Sequence, residues 1–164
     1  MGSNNYAFID GQNLHKGIRA LGWSLDYKRF RKYLEEKYDV QKAFIVMGYV
    51  ANQSALYTAL QNHGFILIFK PILRYQDGKV KGNCDADLVL NAVIRLSEYD
   101  KAVIVSGDGD FYCLIKYLKD HDKLRMVLVP DEHKYSALLK DFGTGFLTGV
   151  SALRAKLEYM KRTP

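Results

Sequence analysis

Two rhythms of apolar residues alternate along this chain. Short unbroken apolar runs mark buried strands, while stretches in which apolar residues return every third or fourth position mark helices with one face on a core. Tyr6-Ala7-Phe8-Ile9 is the first run, breaking at Asp10-Gly11-Gln12-Asn13 into a loop and then a helix. A helix is expected from Tyr27 to Tyr38, where Phe30, Tyr33 and Leu34 recur behind Asp26, a residue type whose carboxylate caps helix N-termini. The tyrosines of this segment read as packing residues of an amphipathic helix rather than a platform for bases. Ala43 to Val50 reads as the second strand, Gln53 to Asn62 as a helix ending at Gly64, and Phe65 to Phe69 as the third strand.

Beyond Pro71, residues 72–81 alternate about Asp77-Gly78 as a β-hairpin does. A helix from Asp85 to Glu98 presents Leu88, Val89, Ala92, Val93 and Leu96 on one face. Ala102 to Val105 is a fourth strand, Phe111 to Lys119 a helix, and Leu124 to Val129 a fifth strand closed by Pro130. A helix near Lys134 to Leu139, one short strand within Phe142 to Val150, and a helix from Ser151 to Lys161 complete the pattern. Strands separated by helices imply a parallel sheet with right-handed crossovers and helices on both faces. The expected class is α/β: a three-layer α/β/α sandwich around a central, mostly parallel sheet of about five or six strands. With 164 residues, 48% of them apolar, and no Pro-, Gly- or Ser-rich divider, residues 1–164 read as one domain.

Composition narrows the function classes. Cys84 and Cys113 have neither the number nor the spacing of a disulfide framework or a zinc site, and fit reduced thiols. No charged-then-apolar leader opens the chain, and no apolar run approaches the roughly 20 residues of a membrane-spanning helix, so a soluble, cytoplasmic protein is expected. His15, His63, His121 and His133 fall in no metal-ligand spacing, and Gly143-Thr144-Gly145 with Gly149 lacks the spacing of a dinucleotide loop.

Lys plus Arg number 24 against 18 for Asp plus Glu, a net charge of +6. Five of those acids, Asp10, Asp85, Asp87, Asp108 and Asp110, sit in the motifs FIDGQN, KGNCDADL and VSGDGDF, at strand ends and helix starts. Gathered in one cleft, they leave 13 acids against 24 bases elsewhere. A basic exterior around an acidic focus suits an enzyme acting on a polyanion. Carboxylate oxygens are hard ligands that hold Mg²⁺ or Mn²⁺ with positions left open for phosphate.

In an open parallel sheet the functional crevice lies beyond the carboxyl ends of the strands, where Asp10 and Asp108 both fall. Residues 85 and 87 stand about 200° apart on a helical wheel, so only one faces a shared ion in regular helix. Asp85, one turn before Leu88 and Val89, is the preferred ligand, with Asp87 second. Ser106 and the amides around Gly107 and Gly109 are placed to bind phosphate or water beside the ion, and Lys81 to hold substrate phosphate.

In this order and on this framework, FIDGQNL, KGNCDADL and VSGDGDF resemble the NYN domain, a branch of the PIN-like nuclease fold, over Tyr6 to about Leu139. The resemblance implies a metal-dependent ribonuclease, an endonuclease on single-stranded or structured RNA, with Mg²⁺ or Mn²⁺ as cofactor. It makes Asp10, Asp85, Asp108 and Asp110 the catalytic and metal-binding acids, with Asp87 a further metal candidate. Asn13 becomes the polar residue that accompanies Asp10 toward substrate. It also implies RNA as partner, and a homodimer as an arrangement PIN-like domains often adopt. Two other readings stand beside it. One is a non-catalytic RNA-binding or regulatory domain on the same fold. The other is a haloacid-dehalogenase-like phosphatase, whose acidic loop Gly107-Asp108-Gly109-Asp110 resembles. That chemistry needs a second Asp two positions after the nucleophile, and Asp10 is followed by Gly11 and Gln12.

Overall fold

Six strands lie side by side, every neighbouring pair parallel, in a computed structural model that describes residues 2–74, 76, 80–81, 85–143 and 145–161, with backbone alone at 73–74 and 80–81. In chain order the elements are β1 (Asn5–Asp10), α1 (Gly11–Ala20), α2 (Tyr27–Tyr38), β2 (Val40–Gly48), α3 (Ser54–Asn62) and β3 (Phe65–Lys70). Then come β4 (Leu73–Arg74), β5 (Val80–Lys81), α4 (Asp85–Ile94), β6 (Ala102–Val105), α5 (Tyr112–Asp120), β7 (Leu124–Val129), β8 (Leu147–Gly149) and α6 (Arg154–Leu157). The sheet order is β3-β2-β1-β6-β7-β8, and β4 pairs with β5 as a separate antiparallel hairpin.

The unbroken apolar runs have their physical reason in two-sided cover. All of β1 and all of β6 are buried, and along β1 the side chains alternate between two cores. Ala7 and Ile9 pack with Leu14 and Ile18 of α1, Phe30 and Leu34 of α2, and Leu157 of α6. Tyr6 and Phe8 face the other way, toward Leu88 and Ala92 of α4 and Leu114, Ile115 and Leu118 of α5. Phe8 stacks on Phe44 of β2 with ring centroids 5.4 Å apart. The expected three-layer α/β/α class is what the chain adopts, with six strands and all pairs in the sheet parallel.

Several boundaries differ from expectation, each for a local reason. No loop separates β1 from α1, because the Asp10 carboxylate accepts the Asn13 N–H and caps the helix at once. β2 begins at Val40, and α4 closes at Ile94, beyond which Leu96 N–H bonds to Val93 in a tighter turn. The helix expected near Lys134 to Leu139 is instead a 3-10 turn at Ala137–Phe142, since Ser136 donates its N–H to Gly107 and caps Leu138 with its hydroxyl. The C-terminal helix is short because the chain leaves it to pair Glu158 with Leu25, with Tyr159 N–H bonded to Ser24. The helix at Tyr27–Tyr38 has the expected bounds, capped by Asp26 on the Arg29 N–H and closed by Asp39 at φ 54°. Cys113 is exposed on α5, and Cys84 lies outside the described residues. Among the described residues no helix is long and apolar enough to cross a membrane.

From β1 the chain steps outward to β2 and β3, then returns through the hairpin and α4 to β6 on the opposite side of β1. Winding therefore reverses between β1 and β6, and a crevice opens above their carboxyl ends.

Candidate metal centre

Three acids meet in that crevice. Asp10 ends β1, Asp108 follows β6, and Asp85 opens α4, and one carboxylate oxygen from each lies within 4.8 Å of the others. Asp10 is buried, while Asp85 and Asp108 are half-buried. The parallel register sets Ile9 opposite Val105, so the chain on either side turns out of the sheet at the same level.

Asp10 and Asp108 are held from behind. Asp10 Oδ1 accepts the Asn13 N–H at 3.2 Å, and Asp10 Oδ2 accepts the Ser106 hydroxyl at 3.4 Å. Ser106, almost wholly buried, also accepts the Asp108 N–H at 3.1 Å. Asn13 Oδ1 accepts the Gly107 N–H at 2.9 Å, tying α1 to the loop after β6. Asp108 Oδ1 accepts the Asp110 N–H at 2.9 Å, fixing the turn that follows. Gly109 has no room for a side chain there: a Cβ would stand 2.3 Å from the Ser136 hydroxyl oxygen.

Crowding and burial raise the affinity of Asp10 and Asp85 for protons. Burial lifts the Asp10 carboxyl above its usual range, against the lowering effect of the Asn13 N–H, and the Asp108 charge lifts it further. Asp85 is pushed up to about 6, first by burial, then by the charges of Asp108 and Asp10 and by a hydrogen bond with Asp110. Like charges at this range each disfavour ionisation of the others, and a bound dication reverses that balance. The donor set, three hard oxygens on one side of an open crevice, fits Mg²⁺ or Mn²⁺.

The remaining site candidates fall in different places. Asp110 is exposed at the rim, against Asp85 rather than inside the group of three. Asp87 points elsewhere and pairs with Lys70 at the end of β3, N to O 3.8 Å. Ser106, Asn13 and the Gly107 amide are engaged in bracing the acids. The Lys81 side chain lies outside the described residues. Two cations not anticipated from the sequence, Lys16 and Lys134, line a groove of about 350 Å³ with Asn13, Gly107 and Pro130. The signal for Lys16 is present in the chain, since it lies one helical turn after Gln12; nothing local marks Lys134.

Comparison with known proteins gives the same outline. A family model described as the NYN domain matches residues 6–148. The curated Low amplitude and bright protein LabA of Synechococcus elongatus is 26% identical over 122 residues, covering 68% of this chain. The chain spans 66% of that relative's length. A solved protein of unknown function from Vibrio parahaemolyticus shares the fold at a TM-score of 0.76 and 24% identity, over 91% of this chain and 93% of that one.

Proposed function

The chain belongs to the NYN domain family, part of the PIN-like nuclease superfamily, and from that premise we propose that it is a metal-dependent ribonuclease, cutting RNA within the strand. The observation that carries the reading is the convergence of Asp10, Asp85 and Asp108 within 4.8 Å at the switch point of the sheet. Asp10, Asp85 and Asp108 would hold an Mg²⁺ or Mn²⁺ ion, which would supply Lewis-acid polarisation of a phosphodiester and a lowered pKa for a bound water.

The chain's own residues supply position and charge. Asp10, Asp85 and Asp108 provide the ligands, and Asp110 stands at the rim beside Asp85. Asn13 and Ser106 prevent Asp10 and the loop after β6 from turning away. Preorganisation of this kind matters because ligands fixed before substrate arrives need no rearrangement during the reaction. Lys16 and Lys134, in the groove beside Gly107, are further cations that meet the phosphate backbone.

The test is cleavage of RNA by the purified chain with Mn²⁺ or Mg²⁺, against Asp108→Asn and Asp10→Asn. Both variants keep the Oδ1 acceptor that bonds the Asp110 or Asn13 N–H, so the circular-dichroism spectrum is expected to be unchanged. Groups that merely orient metal ligands contribute about 10- to 100-fold, so loss of a ligand is expected to remove at least about a hundredfold of activity. Full activity in Asp108→Asn or in chelator refutes the metal mechanism, and RNA binding without cleavage identifies a non-catalytic domain.

A further inference from the structure

A second cleft opens on the same edge of the sheet, between α1 and α3, and none of the three acids lines it. Its volume is about 820 Å³. Apolar walls come from Leu25, Tyr27, Met47, Leu56, Tyr57 and Ile72. Around them stand Gln12, His15, Lys16 and Gln53, whose side chains make no hydrogen bond or ion pair among the described residues. Apolar walls with a few uncommitted polar groups are the makeup of a ligand site.

Two features tie this cleft to the acids. Gly11 and Gln12 form its lip, and the residue before them is Asp10. Lys16 lines both this cleft and the groove beside Gly107. Four residues of helix turn it about 40° from Gln12, onto the ridge of α1 between the two. Any ligand whose charge is met by Lys16 and whose apolar part enters the cleft therefore passes alongside Asp10.

The wall is also rigid. Tyr57 accepts the Val50 N–H at 2.9 Å, and its ring packs 4.7 Å from Phe69 and 5.9 Å from Tyr49. Burial pushes the Tyr27 hydroxyl up to about 12, which keeps it a neutral donor. A nucleotide carries both halves of the required chemistry: a flat heteroaromatic ring with polar edges and an anionic phosphate.

We propose that this cleft receives an unpaired base of the strand whose phosphate lies at the acids. The inference rests on the ribonuclease reading. A base in a duplex is stacked and paired, whereas an unstacked base can enter such a cleft and present its edges to Gln12, His15 and Gln53.

The test measures binding of a short single-stranded oligoribonucleotide and of the same backbone lacking its bases, in chelator, to the full chain and to Leu56→Trp. Leu56 is 45% exposed, so the larger ring fills the cleft without entering the core. Base stacking on proteins typically corresponds to about 5- to 150-fold in affinity, so the wild-type chain is expected to prefer the base-bearing strand by at least about fivefold. Leu56→Trp is expected to lose that preference while binding the bare backbone as before. His15→Ala with Gln12→Ala, both exposed on α1, serves as a second variant that leaves the core untouched, and is expected to weaken the preference. Equal binding of the two strands by the wild-type chain, or an unchanged preference in both variants, overturns the subsite. If RNA is still cut, only the subsite falls; if neither strand binds and RNA is not cut, the ribonuclease reading falls with it.

Discussion

Replacing Asp85 by Asn separates what the site does for chemistry from what it does to stability. In the metal-free chain Asp85 rises from 3.8 to about 6, which corresponds to about 3 kcal/mol between its protonation states. Asp85 is half-buried, so solvent screening reduces this to about 1.5 kcal/mol. A carboxylate in the first turn of a helix is itself favourable by about 0.5 kcal/mol, and the Asn variant forgoes that. Asp85→Asn is therefore expected to stabilise the metal-free chain by about 1 kcal/mol at neutral pH, a rise in Tm of about 2–4 °C for a chain of this length.

The pH dependence gives the sign. A carboxyl raised in the folded state retains a proton that the unfolded chain releases. The contribution of Asp85 to stability is thus greatest below the ordinary Asp value and is lost as pH climbs from about 4 to about 6. The gain from Asp85→Asn is expected to vanish near pH 4 and be complete above about pH 7. Added Mn²⁺ reverses the order, since an ion at a hundred times its dissociation constant stabilises the wild-type chain by about 2.7 kcal/mol, while the variant has lost a ligand. Thermal melts in chelator and in Mn²⁺ at both pH values measure all of this. A variant less stable than wild type in chelator at neutral pH, or a gain that persists at pH 4, refutes the repulsion argument.

Two further substitutions test how the site is held. Asn13→Ala leaves the Gly107 N–H without its acceptor and is expected to destabilise the chain by about 1–2 kcal/mol and to weaken Mn²⁺ binding about tenfold. Unchanged Mn²⁺ affinity by titration calorimetry removes Asn13 from the bracing of the site. Asp87→Asn breaks only the partly exposed pair with Lys70, so stability should move by no more than about 0.5 kcal/mol and Mn²⁺ affinity should stay level. A tenfold loss of affinity in that variant would make Asp87 a ligand after all.

Those two residues also mark where the chain was legible and where it was not. The placing of Asp10 and Asp108 at the edge of the sheet follows from strand ends that the apolar runs already mark, whereas the adjacency of β1 and β6 that brings them together is set by the strand order. The divergence of Asp85 and Asp87 follows from helical pitch, and the structure adds Lys70 as the group that Asp87 turns to. Asn13 and Ser106 offered no comparable signal. Their partners lie 94 and 96 residues away in the chain, so the sequence reads them as facing substrate, or water beside the ion, and not as bracing the acids. The same limit applies to the C-terminal segment. Its helical pattern gives way because Ser24 and Leu25 capture the backbone at Glu158 and Tyr159, a contact that no local periodicity announces.

The parallel pairing of β1 with β6 carries a consequence for synthesis. Asp10 emerges before the Ser106 that steadies it, which follows 96 residues later. Closing so long a loop is entropically unfavourable, and non-local parallel pairing is slow. A nascent or partly folded chain therefore has no assembled carboxylate triad, and only the completed sheet brings the three acids together. The geometry of the crevice is thus a product of the finished sheet and not of any one segment.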